Sequence, residues 1–452
     1  MFDLPDDEIL PLTMKHNFWT WSAQGKVHPI AVKKAKGVYF WDTAGKRYLD
    51  FNSMIMNVNI GHGDERVIEA IVAQARDLPF AAPSMATRPR AVLGKVLAEI
   101  TPPGLTRFLY TLGGADANEN AIKLARAFTG RPKILSRYRS YHGATYGALA
   151  ASGDPRRVAW EPLTMPGVVH FLDPYSYRST FHRHNTGITE EEFSQDYLNH
   201  IEEIITYEDP TTIAAVLIET VTGTNGVIVP PAGYLPGLRR LCDRYGILLI
   251  CDEVMSGFGR TGRWFAVDHW GVRPDLMTMA KGLTSGYAPL GAVAMREEIA
   301  AAFQDRVYQG GLTYNGHPLS LAAAVATIQV MQTDHLVEHA RQIGKVMADM
   351  LAELVERHPC IGEVRSIGLM GVIELVKNRE TREPFVPYNH SSPVLAAVRE
   401  FLLERGVYIY VHWHMILLLP PLIIDEEQLA AGFAELDRAL AIADREIQPG
   451  AG

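Results

Sequence analysis

One lysine stands where lysines are rarely found, at the end of a short apolar run. Lys281 follows residues 276–280 and precedes Gly282. An ammonium group at the end of a buried strand loses hydration, which lowers its pKa and favours the neutral amine. That environment is typical of a lysine that forms a Schiff base with a carbonyl carbon. The alternative is an ordinary surface lysine, which is what most lysines are.

Two other groups also follow apolar runs. Asp252 and Glu253 come directly after the run that ends at Cys251. Successive residues of a strand point to opposite faces, so we expect one carboxylate in a site and the other in a structural bond. Residues 111–116 end a run and open a helix, and their glycines and free N–H groups favour an anion such as phosphate. The alternatives are structural ion pairing of both acids and a plain tight turn.

Pyridoxal 5′-phosphate (PLP) would use all three features, because it carries a phosphate, a ring nitrogen and an aldehyde. In this hypothesis the amides of Gly113, Gly114 and Ala115 hold the phosphate. Asp252 keeps the ring nitrogen protonated by a charge-assisted hydrogen bond, so that the ring can accept electrons. Lys281 binds the aldehyde.

The middle of the chain alternates short apolar runs with helical patterns. Buried strands are predicted at 107–110, 213–218, 247–251, 276–280 and 290–295, and helices at 116–128 and 234–245. Strands separated by helices predict an α/β fold with a mostly parallel sheet that is covered on both faces.

The two ends of the chain have a different pattern. They contain a hairpin pattern at 38–49, amphipathic helices at 335–357 and 425–447, and short strands at 364–366, 371–376, 407–411 and 416–419. We therefore expect residues 1–60 and 331–452 to form a smaller α+β domain and residues 61–330 to form a large cofactor-binding domain. The polar segment 173–187, with Arg183 and His184, is interpreted as an exposed surface excursion.

Composition excludes several classes of protein. The chain has 452 residues, 47% hydrophobic and 21% charged, which is typical of a globular protein and not of a disordered or collagen-like one. A net charge of −8 argues against nucleic acid as a partner, and no apolar run reaches the roughly 20 residues that span a membrane. Three cysteines and an acidic start without a signal peptide lead us to expect a cytoplasmic protein.

Five segments, in this order, carry a specific resemblance to a known family. They are Gly-Gly-Ala-Asp-Ala-Asn-Glu (113–119), Tyr-His-Gly (141–143), Asp-Glu-Val…Gly-Phe-Gly-Arg-Thr-Gly (252–262), Lys-Gly-Leu-Thr-Ser-Gly-Tyr-Ala-Pro-Leu-Gly (281–291) and Thr-Tyr-Asn-Gly-His-Pro (313–318). From near Lys36 to the final helix, the sequence resembles the class III (ω-) aminotransferases of PLP fold type I. The resemblance implies a PLP-dependent enzyme with that fold.

The resemblance also implies further cofactor contacts. Tyr141 is expected to stack on one face of the pyridine ring with His142 beside it, and Val254 to pack against the other face. Glu219 matches the family's glutamate near the ring hydroxyl. Thr313 matches a residue that reaches the phosphate from the neighbouring subunit, which implies a homodimer with composite sites. Whether dimers pair into tetramers stays open.

The implied reaction is a ping-pong transamination. The expected catalytic residues are Lys281, Asp252 and Tyr141. A donor amine displaces Lys281, whose freed amine then moves the proton. A keto acid, with pyruvate as the expected acceptor, runs the second half-reaction.

The substrate pocket departs from the family pattern. Many relatives carry an arginine just before the Pro-Pro-Leu segment, but residues 408–414 contain none. His412, Trp413 or an arginine elsewhere is expected to bind the acid, and the alternative is that the acceptor is held in a different way. The residues expected to line the pocket are Trp19, Trp21, Met54, Met56, Tyr410, His412 and Trp413. Packing in the core is the alternative for the tryptophan and methionine cluster. If these residues line the pocket, it is large and apolar, which favours arylalkyl amines or ω-amino acids over α-amino dicarboxylates. Residues 16–24 also resemble the taurine/β-alanine:pyruvate branch.

Other functions remain open at this stage. A decarboxylase or aminomutase on the same scaffold is the nearest alternative, and a non-catalytic PLP-binding protein is another. A nicotinamide dehydrogenase is disfavoured because no Gly-x-Gly-x-x-Gly follows an early strand. His412 and His414 alternate on a predicted strand and share a face, but no third ligand is evident, so no metal site is expected.

Overall fold

A computed structural model describes residues 4–161, 163–179, 181–182 and 187–447. The α-helices in these ranges are α1 (Asp6–His16), α2 (Ser53–Met56), α3 (Glu65–Asp77), α4 (Arg88–Ile100), α5 (Gly114–Thr129), α6 (Tyr146–Ala151), α7 (Glu190–Tyr207), α8 (Tyr234–Tyr245), α9 (Glu297–Ala301), α10 (Pro318–Thr333), α11 (Leu336–Arg357), α12 (Pro393–Glu404) and α13 (Glu426–Asp444). No helix in the described ranges combines the length and apolar character needed to cross a membrane.

The strands in the same ranges belong to three sheets. They are β1 (Val32–Lys36), β2 (Tyr39–Asp42), β3 (Arg47–Asp50), β4 (Leu105–Thr111), β5 (Lys133–Arg137), β6 (Val168–Phe171), β7 (Ile213–Glu219), β8 (Leu248–Asp252), β9 (Leu276–Met279), β10 (Gly291–Arg296), β11 (Ile361–Ile367), β12 (Met370–Asn378), β13 (Glu383–Pro384), β14 (Val407–Tyr408), β15 (Tyr410–His412) and β16 (Met415–Leu418).

The central sheet has the strand order β4-β10-β9-β8-β7-β5-β6. β10 is antiparallel to both of its neighbours, and the remaining pairs are parallel. β7, β8 and β9 are buried along their whole length, as strands between two layers of helices must be. The predicted mostly parallel sheet is therefore confirmed. The apolar pattern does not predict β5 and β6, because both are short and contain lysine, serine, arginine or histidine.

The two smaller sheets connect the ends of the chain. In the sheet β1-β2-β3-β14, the predicted N-terminal hairpin is present as β2 and β3, and β14 pairs parallel with β3. The second sheet has the order β11-β12-β16-β15, with β13 paired to β12. Strands from both termini thus share one sheet.

The strand predicted at 407–411 is wrong as a single element. The chain leaves one small sheet after β14 and enters the other at β15, so the strand is divided at Ile409. β15 and β16 then form a hairpin in which His412 pairs with Met415, and Trp413 has a φ of 55° in its turn. His412 and His414 therefore do not share a strand face, because the turn lies between them.

The prediction that segment 173–187 is an exposed excursion is also wrong in its first part. Asp173 and Tyr175 are buried. The Tyr175 hydroxyl donates a hydrogen bond to Glu374, and Arg178 forms an ion pair with the same carboxylate. These polar side chains are buried because an internal acid satisfies them, which the sequence pattern cannot show. Arg183 and His184 of this segment lie outside the described residues.

Arg260 connects three parts of the fold from a fully buried position. Its Nη1 donates to the carbonyl oxygens of Leu369 (3.0 Å) and Pro420 (2.5 Å). Its Nη2 donates to Ser53 Oγ (3.2 Å) and Asn59 Oδ1 (3.0 Å). These bonds replace the hydration that the guanidinium loses, and they join the central sheet to segments near both ends of the chain.

Replacing this residue should destabilise the whole molecule. We expect Arg260→Met to lower the free energy of unfolding by roughly 3 kcal/mol, because buried acceptors lose their donors. Chemical denaturation followed by circular dichroism would measure the change. The matched control is Arg263→Met, since Arg263 is exposed and three residues away. Equal stabilities of the two variants would contradict the role assigned to Arg260.

Candidate active site

A cavity of about 470 Å³ lies at the carboxyl ends of β4, β7, β8 and β9. This edge of the sheet is where open α/β folds collect ligands. The structure brings together in its lining Gly113, Gly114, Ala115, Tyr141, His142, Glu219, Asp252, Val254 and Lys281. Of the residues predicted to contact a cofactor, only Thr313 is absent from this lining, and its side chain is exposed.

Lys281 follows β9 and reaches the cavity from a strained position. Its φ is +40°, a conformation that non-glycine residues adopt at a cost and that is often found at functional sites. Burial lowers the pKa of the amine, while Asp252 and Glu219 act in the opposite direction more weakly. At the next residue, Gly282, a Cβ would lie 2.5 Å from the Asn59 amide nitrogen, so a side chain has no room there. The lysine is thus placed by close packing.

Asp252 ends β8 and is held by three hydrogen-bond donors. Its Oδ2 accepts from Asn118 Nδ2 at 2.7 Å and lies 2.8 Å from His142 Nδ1. Its Oδ1 accepts from the backbone N–H of Val254 at 2.9 Å. A carboxylate only accepts, so His142 carries its proton on Nδ1. The carboxylate is therefore fixed in position and still faces the cavity.

Sequence reasoning missed Asn118, although it lies inside the segment 113–119. Its side-chain oxygen accepts from Thr278 Oγ1 at 2.8 Å, and its nitrogen also donates to the His142 carbonyl oxygen. The amide therefore connects α5, β8 and β9 behind the cavity. The signal in the sequence was the motif itself, since an asparagine in the first turns of a helix has no distinctive pattern of its own.

Glu253 points away from the cavity, as the strand alternation predicts. Its carboxylate accepts hydrogen bonds from Ser256 Oγ and from the backbone N–H groups of Ala266 and Val267. Burial raises the pKa of Glu253 to about 7. Asp252 thus faces the cavity, whereas Glu253 holds a loop through hydrogen bonds to Ser256, Ala266 and Val267.

The start of α5 forms one wall of the cavity. Gly113 occupies the N-cap position without a side-chain cap, so the first N–H groups of the helix are not satisfied by such a cap. A Cβ on Gly114 would lie 2.8 Å from Val254 Cγ1, so only glycine lets the backbone approach that side chain. Backbone N–H groups and the helix dipole together favour a phosphate here.

Tyr141 and Glu219 form the opposite wall. The backbone N–H of Tyr141 donates to Glu219 Oε1 at 2.8 Å, and Gly223 N–H donates to Oε2 at 2.7 Å. Burial raises the pKa of Glu219. These bonds hold the segment that carries Tyr141 against the end of β7. The ring of Tyr141 therefore has a fixed position beside the cavity.

Sequence reasoning also missed Arg156, whose guanidinium carbon lies 3.5 Å from the centroid of the Tyr141 ring. It follows Asp154-Pro155 in a short 3-10 turn, and no motif marks it. The fold brings it to the cavity because α6 ends just before this turn and packs on β5 and β6. The cation is thus a neighbour of the site that only the structure reveals.

The residues predicted for substrate binding do not line this cavity. Met56 is buried in a hydrophobic cluster with Met255, and Trp21 is exposed. Trp413 packs partly against the same cluster, and Tyr410 lies near His412, with its hydroxyl 3.4 Å from His412 Nδ1. The remaining members of the set, Trp19 and Met54, are partly buried. In the described ranges no group of three or more His, Cys, Asp or Glu side chains could hold a metal ion.

The chemical groups around the cavity match the chemical groups of PLP. A buried amine, a fixed carboxylate, an uncapped helix start and an aromatic ring face a single space. The amine suits the aldehyde of PLP, and the carboxylate suits its protonated ring nitrogen. The helix start suits the phosphate, and the aromatic ring suits the flat pyridine ring. The cradle at Gly114 and Val254 supports the fit independently, since any larger residue would fill it.

Comparison with known proteins agrees with this geometry. Residues 21–440 match the model of the family "Aminotransferase class-III". Putrescine–pyruvate aminotransferase of Pseudomonas aeruginosa is 34% identical over 88% of this chain and 87% of that protein. Taurine–pyruvate aminotransferase of Bilophila wadsworthia is 32% identical over 97% of this chain and 98% of that protein.

Solved structures show the same similarity. Taurine:2-oxoglutarate aminotransferase from Bifidobacterium kashiwanohense, solved with PLP and glutamate, has 42% identity and a TM-score of 0.94 over 99% of this chain and 100% of that one. An (S)-enantioselective ω-transaminase from Thermomicrobium roseum has 37% identity and a TM-score of 0.89 over 98% of this chain and 99% of that one.

The buried amine makes the stability of the cofactor-free protein depend on pH. The folded state lowers the pKa of Lys281 below its ordinary value of 10.5, so the unfolded chain binds this proton more readily. The resulting penalty is present at neutral pH and disappears as pH rises towards 10.5. We expect Lys281→Met to raise the melting temperature at pH 7, and the gain to shrink by pH 10.

Thermal unfolding of the cofactor-free variants across this pH range would measure the effect. Lys123→Met is the matched control, because Lys123 is exposed on α5. A gain that stays constant with pH would mean that the methionine merely improves packing, and would contradict a desolvated amine at position 281.

Proposed function

The chain belongs to the class-III aminotransferases, which are PLP-dependent enzymes, and from that premise we propose its substrates and the roles of its residues. The proposed donor is a primary amine or ω-amino acid and the proposed acceptor is pyruvate. Two relatives named for pyruvate as the acceptor support this choice. The observation that carries the proposal is the buried amine of Lys281 in one cavity with Asp252, Tyr141 and the start of α5.

We propose that four elements hold the cofactor. Lys281 would hold its aldehyde carbon, and Asp252 would hold its ring nitrogen. The uncapped N–H groups at Gly114 bind its phosphate, while Tyr141 and Val254 contact the two faces of its ring. When bound, PLP supplies an electrophilic carbon and a ring that accepts an electron pair.

The protein's own groups then move the proton. Because burial lowers the pKa of Lys281, its Nζ can take a proton from the substrate carbon and would return it to the cofactor carbon. His142 and Asn118 keep the Asp252 carboxylate oriented, so it stabilises positive charge on the ring nitrogen throughout. Glu219 keeps Tyr141 in place. The substrate amine and the keto acid take turns in the same cavity, which gives ping-pong kinetics.

We also propose a homodimer with composite sites. Thr313 is exposed and lies outside its own cavity, and neighbouring Leu312 and Tyr314 are 47% and 56% exposed. Phe80, 42% exposed, packs edge-on against Tyr314 at 5.9 Å between ring centroids. Exposed apolar side chains of this size suit a protein interface. In that dimer Thr313 would reach the phosphate of the partner's cofactor.

A cytoplasmic location is proposed from the cysteines. Cys242, Cys251 and Cys360 are all free and buried. Burial raises the pKa of Cys242 to about 12, so this thiol is kept protonated and unreactive. Free thiols without disulfides are typical of reducing compartments.

Lys281 should be the residue that binds the cofactor. Borohydride reduction of the holoprotein, followed by peptide mass spectrometry, is expected to find the pyridoxyl group on Lys281. With a donor amine and pyruvate the wild type should form alanine, and Lys281→Ala should lose at least 1,000-fold in kcat. A label elsewhere would contradict the assignment. Release of carbon dioxide, or turnover without a keto acid, would instead indicate a decarboxylase or aminomutase.

Composite sites predict complementation between two defective subunits. Thr313→Asp would place a negative charge against the partner's phosphate, and Lys281→Ala removes the amine, so each homodimer should be inactive. In the hybrid dimer, one site combines an intact Lys281 with an intact Thr313. Co-expressed hybrids isolated with two affinity tags are therefore expected to recover about half of wild-type activity. A hybrid as inactive as its parents would contradict composite sites.

A further inference from the structure

Arg156 lies at the border of the cavity and is rigidly held. Its Nη2 donates to Thr224 Oγ1 at 3.1 Å, and Thr224 is part of the cavity lining. Its guanidinium is stacked on Tyr141, which also lines the cavity. A planar cation stacked on a ring and bonded at its edge has few other orientations. The contacts with Tyr141 and Thr224 therefore fix the orientation of the guanidinium on the cavity side.

Asp154 fixes the other side. This carboxylate is 1% exposed and accepts from Arg156 Nε at 2.8 Å, and it also pairs with Nη2. Asn225 Nδ2 donates to the same carboxylate at 3.1 Å, so the acid is itself anchored. No described residue accepts a hydrogen bond from Nη1 of Arg156. The arginine thus keeps donor capacity that no residue in the described ranges uses.

The charge of Arg156 acts on both sides of this border. It contributes to lowering the pKa of Lys281 on the cavity side and of His412 on β15. It also acts on Tyr410, the residue that begins β15. The guanidinium is therefore within electrostatic reach of both the Lys281 amine and β15, and the segment 408–414 itself contains no arginine.

We propose that Arg156 binds the acid group of the substrate and thereby determines specificity, an inference that rests on the proposed function. A donor whose amine displaces Lys281 from the cofactor aldehyde would extend its acid group towards Arg156, where Nη1 donates to a carboxylate or sulfonate oxygen. Short ω-amino acids carry both the amine and the acid, and short keto acids carry the acid together with the carbonyl carbon that accepts the amino group. The Thr224 hydroxyl lies beside this position.

The charged groups around Arg156 are compatible with the binding of an acid at its Nη1. Asp154 balances the guanidinium before substrate binds, and its oxygens are directed at Nε and Nη2 rather than at Nη1. Arg156 acts electrostatically on three titratable side chains of neighbouring segments, which are Tyr388, Tyr410 and His412. None of them carries a negative charge at neutral pH, since burial raises the pKa of both tyrosines. An entering anion therefore meets no second carboxylate on that side.

The test compares two donors that differ only in the acid. β-Alanine carries a carboxylate and propylamine does not. The donor half-reaction, followed by the absorbance of the bound cofactor, gives an apparent dissociation constant for each. We expect Arg156→Gln to weaken β-alanine about 10- to 100-fold, the usual cost of losing a charge-assisted bond, and to change propylamine less than about threefold.

A second measurement needs no turnover. Isothermal titration calorimetry of the holoenzyme with propionate and with ethanesulfonate measures acid binding directly. We expect the wild type and Arg157→Gln to bind at least one of these acids, and Arg156→Gln to lose at least 10-fold. Arg157 is the matched control because it is adjacent in sequence and pairs with Glu161 outside the cavity. The two acids distinguish a carboxylate site from a sulfonate site.

The outcomes separate this inference from the proposed function. Unchanged acid binding in Arg156→Gln, with normal half-reactions in the wild type, would overturn the role of Arg156 and leave the transaminase intact. An equal loss for propylamine and β-alanine would also overturn it, because Arg156 would then only support Tyr141. If neither donor, nor any other amine, changes the cofactor absorbance of the wild type, the proposed function itself fails.

Discussion

The site depends on an amine held out of water within the electrostatic reach of two carboxylates. Burial lowers the pKa of Lys281, and Asp252 and Glu219 only partly offset that effect. The balance is set by the sheet, because β7, β8 and β9 are adjacent and parallel. Residues at the carboxyl ends of these strands therefore lie close together, and their proximity does not depend on the conformation of the loops. The amine and the two carboxylates are therefore positioned by the central sheet.

The carboxylate of Asp252, which faces the cavity, has hydrogen-bond partners behind it. Asp252 is held by Asn118 and His142, and these are held in turn by Thr278 and Ser136, with His142 Nε2 3.3 Å from Ser136 Oγ. The bonds run through β5, β8, β9 and α5. Such a network is costly if any member is left unsatisfied, so its members must change together. The same bonds that complete the fold thus limit how Asp252 and His142 can move.

The sequence predicted those parts of the structure that local patterns determine. Apolar runs predicted the buried strands of the central sheet, and the ends of those runs predicted where Asp252 and Lys281 lie. The two missed strands, β5 and β6, contain polar residues whose burial depends on neighbours far along the chain. Tyr175 was misjudged for the same reason, since its partner Glu374 is 199 residues away. Asn118 was missed because its importance lies in contacts to other elements.

Arg156 illustrates what such distant contacts add to the site. An arginine without a counter-ion beside Lys281 would leave a buried positive charge unpaired whenever the substrate carried no acid, at a high desolvation cost. Asp154 removes that cost by balancing the guanidinium permanently. Because this pairing uses Nε and Nη2, it leaves Nη1 for an entering anion. A neutral but polarised wall can accept both acid-bearing and acid-free amines, whereas an unpaired cation would exclude the second class.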